Sequence, residues 1–150
     1  NGNLTTVETT FSGNSTDEGN GGAVRVLGVA NLSGSTFENN VTYGGSGGAI
    51  YSTNTMNIAD STFSTNEASV EGGSIWSNSS MVIINSTMSG NVAAGGGGAI
   101  LITGSGGIAL EVSDSSFESN ESTNSAGGAI FVTSSGGNSI SIISSQFQEN

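Results

Sequence analysis

The 150 residues carry one basic side chain, Arg25, against 12 acidic ones, a formal charge of −11, which leaves nothing to displace counterions from a nucleic acid or to bind an anionic bilayer. With 33% hydrophobic and 9% charged residues and no proline, cysteine or histidine, the chain is mostly Gly, Ser, Thr and Asn, which excludes a helical bundle, a disulfide framework and a thiolate metal site. No apolar run approaches the roughly 18 residues of a membrane span and no charged-then-apolar leader opens the chain, so a mature product or a fragment is expected.

The first unit runs from Leu4 to Val26. Leu4 and Thr6 are spaced by two, as on the buried face of a strand. Thr9 stands two before Phe11 and Asn14 three after it. Asp17 and Glu18 follow in a polar loop, and Gly21-Gly22-Ala23-Val24 opens a second strand whose alternation turns Val24 and Val26 inward and Arg25 outward. That order then returns. The paired glycines begin at Gly21, Gly47, Gly72, Gly97 and Gly127, at intervals of 26, 25, 25 and 30 residues. The other landmark is Phe11, Phe37, Phe63, Met88, Phe117 and Phe147, each followed by an Asn: Asn14, Asn40, Asn66, Asn91, Asn120 and Asn150. A period of this size marks stacked units that cannot bury their apolar faces alone. An unstructured low-complexity chain has no reason to hold two landmarks in register.

Seven residues before each landmark stand Leu4, Ala30, Met56, Met81, Leu110 and Ile140; five before it stand Thr6, Leu32, Ile58, Ile83, Val112 and Ile142. Two before it is always a small hydroxyl: Thr9, Ser35, Ser61, Ser86, Ser115 and Ser145. Strict alternation cannot carry the apolar columns into the landmark column, so the chain bends at that hydroxyl, with Glu8, Asp60, Asn85 and Asp114 facing out. Two or three short strands per turn and no helix-length segment predict an all-β fold, a parallel β-helix of about six coils and roughly 25–30 residues per coil, on the order of 30 Å tall. Residues 1–150 are expected to form one such repeat domain, either a segment of a longer repeat protein or a fibre subunit. The second glycine of each pair is an inward position where sheet faces approach closely. The longer fourth interval, near Thr103 to Gly107, predicts a loop bulging from one turn.

The alternation of GGAV, GGAI, GGSI, GGAI and GGAI with F-x-x-N, once as Met88-Ser-Gly-Asn91, resembles the repeat pair of the polymorphic outer-membrane protein family, autotransporters whose passenger is a right-handed parallel β-helix. The resemblance covers essentially the whole chain. It implies a right-handed coil, an extracellular or cell-surface location and adhesion. The translocator barrel, secretion signal and cap of such proteins have no counterpart in these residues.

Enzymes also use this architecture, so polysaccharide lyase and glycoside hydrolase chemistry is the alternative of another class. Lyases need a base and cations for an enolate, and Arg25 has no carboxylate pair beside it. Glycoside hydrolysis needs two opposed carboxyls; Asp60 and Asp114 share an outward column two coils apart, and Glu38, Glu118 and Glu149 sit within or beside F-x-x-N. These read as a solvated acidic face. The serines have no His or Lys to activate them, and the glycines from Gly95 to Gly98 lack the Lys of a phosphate cradle. No catalytic residue, metal ligand or cofactor is therefore expected. A structural Ca2+ near Asp17 and Glu18 lacks the spacing of known loops, and the Thr10, Thr36, Thr62, Thr87 column of an ice-binding face decays into Ser116 and Gln146.

Three sets of residues point to function. Arg25, Tyr51, Trp76, Leu101 and Phe131 form an outward contact column, an exposed apolar stripe for a neighbouring molecule or for sugar rings. Asn3, Asn14, Asn31, Asn40, Asn78, Asn85 and Asn120 each precede x-Ser or x-Thr and are candidates for N-linked glycans. Asn14, Asn40, Asn66, Asn91, Asn120 and Asn150 are expected to stack as a ladder, which leaves no room for sugar at Asn14, Asn40 and Asn120. Open strand edges at the two ends predict end-to-end self-association into a filament. The expected partners are further copies and glycans or cell-surface ligands, and the expected role is structural or adhesive.

Overall fold

The structure, a computed structural model, describes residues 2–150. Its strands form four parallel sheets that run along one axis, and each coil visits them in turn. The first sheet stacks Leu4–Val7, Ala30–Ser33, Met56–Ala59, Met81–Ile84, Ala109–Ser113 and Ser139–Ile143. The second stacks Thr10–Ser12, Thr36–Glu38, Thr62–Ser64, Thr87–Ser89, Ser116–Glu118 and Gln146–Gln148. Two-residue strands from Ser15–Thr16 to Glu121–Ser122 make the third, and Val24–Val26, Ile50–Ser52, Ile75–Ser77, Ile100–Gly104 and Ile130–Ser134 make the fourth. Register follows the sequence landmarks: Phe11 pairs with Phe37, Phe37 with Phe63, Phe63 with Met88 and Met88 with Phe117.

Three corners turn each coil, and each uses a left-handed residue. The first lies at Glu8, Gly34, Asp60, Asn85, Asp114 and Ser144, the second at Gly13, Asn39, Thr65, Gly90, Ser119 and Glu149, and the third at the first glycine of each pair. Asn, Asp and Gly tolerate this region best. Thr65, at φ 50, is the β-branched exception, and its hydroxyl donates to Asn39 Oδ1 one coil away at 2.7 Å. The hydroxyl predicted at the bend is buried just past the first corner. Ser35, Ser61, Ser86 and Ser115 each donate their Oγ to the carbonyl two residues back and accept a backbone N–H from the preceding coil, as from Ser35 N to Ser61 Oγ at 3.1 Å.

Inside, columns of like side chains fill the tube. Phe37, Phe63, Met88 and Phe117 are fully buried beside Met56, Met81, Ile50, Ile75 and Ile100. Rings stack face to face at 4.6 Å for Phe11 on Phe37, 4.8 Å for Phe37 on Phe63 and 4.7 Å for Phe117 on Phe147, with Met88 breaking the column. No buried side-chain polar atom among the described residues lacks a hydrogen-bond partner.

The second glycine of each pair sits, as expected, where sheets approach closely. A Cβ on Gly73 would land on the Gly98 carbonyl oxygen of the next coil and 2.7 Å from the Val92 backbone, so the glycine is needed where adjacent coils and the third sheet converge. One expectation needs correction: the insertion near Thr103 does not bulge from a single turn. It lengthens strands in two successive coils, pairing Thr103 with Thr133 and Gly104 with Ser134, because an extended strand leaves open backbone groups unless its neighbour extends too.

Gly73→Ala should prevent native folding or lower stability by more than about 3 kcal/mol, whereas Gly13→Ala, at φ 66 with open space around its Cβ site, should cost only about 1 kcal/mol. Urea midpoints of the two variants measure the contrast.

Candidate contact surface

The asparagine column is a continuous seam. Nδ2 of each Asn donates to Oδ1 of the next: Asn14 to Asn40 at 2.9 Å, Asn40 to Asn66 at 2.9 Å, Asn66 to Asn91 at 3.0 Å, Asn91 to Asn120 at 2.8 Å and Asn120 to Asn150 at 2.7 Å. The same Oδ1 accepts the backbone N–H of the preceding coil's Asn, as from Asn66 N to Asn91 at 3.0 Å. The second amide hydrogen goes back one coil to the landmark's carbonyl, from Asn40 to Phe11 at 3.0 Å and from Asn120 to Met88 at 2.9 Å. Asn40, Asn66, Asn91 and Asn120 are completely buried. Asn14 is exposed among the described residues and donates one amide hydrogen, to Asn40.

The remaining sequon residues are all exposed. Asn31 lies on the outer face of the first sheet, is exposed, and accepts from Asn57 Nδ2 at 2.8 Å through its oxygen rather than its amide nitrogen. Asn85 occupies the first corner and donates to Asp60 Oδ1 at 2.7 Å. Asn78 follows the fourth-sheet strand Ile75–Ser77, and Asn3 accepts the Val29 N–H at 3.0 Å.

The outward column of the fourth sheet pairs Arg25, Tyr51, Trp76, Leu101 and Phe131 in register. Only Arg25 is exposed; Tyr51, Trp76 and Phe131 are half-buried, and Leu101 is 1% exposed. Leu101 therefore corrects the idea of a wholly exposed stripe. It lies outside the central core, and its flanking neighbours Trp76 and Phe131 cover it from the coils on either side. Phe131 also reaches across Gly96, where any Cβ would collide with its ring. Tyr51 and Trp76 stack at 4.3 Å with 3° between their planes, and the Arg25 guanidinium sits 5.7 Å from the Tyr51 ring centre. Tyr51 and Trp76 thus turn one ring face each toward the other. Sugar stacking needs a free face, and the faces that Tyr51 and Trp76 share do not present one.

Asp60 and Asp114 are separated by Asn85 in the same corner column, with Asn85 bonded to Asp60. Asp17 and Glu18 are exposed, and among the described residues no three His, Cys, Asp or Glu side chains converge. The Thr10, Thr36, Thr62, Thr87 column is in register, but the neighbouring outward column brings in Glu38 and Glu118. The feature that sequence pattern missed is a second apolar column on the first sheet. Val7 and Ile84 are 62% and 42% exposed and bracket the smaller Ser33 and Ala59, a shallow apolar depression beside Asn31 and Asn57. Its signal was legible in the residue four before each landmark, which nothing buried required to be apolar. Among the described residues no helix is long and apolar enough to cross a membrane.

The family model for a right-handed β-helix region matches residues 1–150, and the chain belongs to that family. No curated protein and no solved structure matches it.

A stripe that holds the fold together should respond to truncation by position. Leu101→Ala should lower stability by about 2–4 kcal/mol and Trp76→Ala by about 2 kcal/mol, while Arg25→Ala should stay within about 0.5 kcal/mol. Chemical denaturation of the three variants checks the gradient.

Proposed function

We propose that this right-handed β-helix is a non-enzymatic structural and adhesive element of a cell exterior, a stiff rod that displays its outer columns. The observation that carries the reading is the use of the recurring polar side chains. Every buried Asn of the F-x-x-N motif and every buried Ser at the first corner is committed to a bond between coils. The repeated residues thus specify a rod, and the outer columns are left to vary. The likeness of the repeats to those of polymorphic outer-membrane proteins favours the passenger of a surface autotransporter as the specific form.

On this reading the rod also associates head to tail with a second copy. The two end coils carry matching columns: Leu4 and Ile140, Phe11 and Phe147, Asn14 and Asn150. Ile140, Ile142 and Phe147 are 51%, 49% and 43% exposed, the kind of apolar surface that a further coil in register would cover. The charge of −11 opposes sideways clumping while leaving axial pairing open.

The test combines three readouts on one preparation. Neutral and acidic polysaccharides should yield no reducing ends and no unsaturated products, protein-coated beads should be retained on cell monolayers well above albumin-coated ones, and sedimentation should show mass growing with concentration, abolished by Phe147→Asp. Turnover that disappears in Asp114→Asn would replace this reading with a carbohydrate-processing enzyme. Bead retention no better than albumin would remove adhesion, and a concentration-independent monomer would remove the head-to-tail contact.

A further inference from the structure

Two of the seven sequons lie where the fold uses the atom that a glycosyl transfer would modify. In that transfer the C1–O bond of a lipid-diphosphate-linked oligosaccharide breaks, a C1–N bond forms to the Asn Nδ2, and Nδ2 gives up one proton as the lipid diphosphate leaves. The modified amide keeps one hydrogen. Asn40 needs two: one bond runs to Phe11 O at 3.0 Å and the other to Asn66 Oδ1 at 2.9 Å. Asn120 likewise donates to Met88 O at 2.9 Å and to Asn150 Oδ1 at 2.7 Å. Both side chains are 0% exposed, with coils above and below, so a sugar ring has no volume to enter. Each also precedes a hydroxyl residue that the fold uses elsewhere, Thr42 Oγ1 donating to Gly19 O and Ser122 Oγ to Gly95 O, both at 2.8 Å.

We propose that N-linked glycosylation at Asn40 or Asn120 and folding of the β-helix exclude one another, whereas Asn31, Asn78 and Asn85 accept a glycan on the folded rod. The three-residue context that a transferase reads is linear and is available before coiling. The bonds that forbid the sugar exist only afterwards. A chain that meets a glycosylating machinery while extended is therefore diverted at Asn40 and Asn120, and the native rod arises by a route on which coiling precedes, or never meets, that transfer. The inference rests on the geometry of the seam and stands whether or not the rod is adhesive.

Semisynthesis of the full chain with a single N-acetylglucosamine on Asn40, on Asn120 or on Asn31 tests it directly, with the unmodified chain alongside. After refolding, the Asn31 form should match the unmodified chain in its β-sheet circular dichroism and protease half-life. The Asn40 and Asn120 forms should be cleaved at least about a hundredfold faster, the combined effect of a lost buried hydrogen bond and an overpacked seam. Native-like protease resistance of either buried-site form would overturn the proposal. So would failure of the Asn31 form, since the surface would then be as intolerant as the seam. Adhesion and turnover do not enter the readout, so its failure is distinct from failure of the functional reading.

Discussion

A primary amide has two hydrogens to donate and an oxygen that can accept twice, and in each buried rung of the asparagine seam all four capacities are used in fixed directions. Asn66 accepts from the backbone and side chain of Asn40 and donates its two amide hydrogens to the Phe37 carbonyl and to Asn91 Oδ1, while the Ser74 hydroxyl beside it also donates to Asn91 Oδ1. No other side chain repeats this. An ionised Asp has no hydrogens to give and would place a charge beside its neighbours in a dry interior, and Gln is one methylene too long for the corner. The seam therefore fixes which residue lies above which. Parallel coils without it could slide, and a slip of one residue would turn every column from the core to solvent.

Once the register is fixed, the inside of the tube has little freedom. The Phe, Met and Ile columns stack because their backbones are held in line, and the glycine after each third corner is dictated by the next coil's carbonyl rather than by its own turn. Length can change only in concert. The extension at Thr103 to Gly107 is matched by one at Thr133 to Gly137, and Ser134 Oγ donates to Gly106 O across the two. The outer faces answer to weaker demands, and the acidic residues gather there.

Direction was legible in the sequence, and exposure was not. Period-two spacing showed that Leu101 points away from the core, and the two landmarks gave coil length, register and the Asn and Phe columns. Whether an outward side chain is bare depends on what stands one coil away, 25 residues before it at Trp76 and 30 after it at Phe131. Alternation within a strand carries none of that information. The corner residues show a second kind of loss. Glu8 and Ser144 take the left-handed conformation beside Asp60 and Asn85 with no compositional mark, since the stack imposes the turn and the local residue only tolerates it.

The aromatic stripe shows how such imposition limits function. Rings held on successive strands of a parallel sheet are set at the strand spacing and stack on one another, as Tyr51 and Trp76 do. A ring that faces its neighbour above and below cannot also face a ligand arriving from the side. Besides ring edges, the outer surface offers the corner hydroxyls and amides and the apolar depression flanked by Val7 and Ile84. Those are shallow, repeated features spread along the axis, each weak alone. On the proposed adhesive reading, a rod gains contact strength by presenting many of them in a line, so its length and stiffness, which the asparagine seam supplies, would matter as much to binding as any single residue.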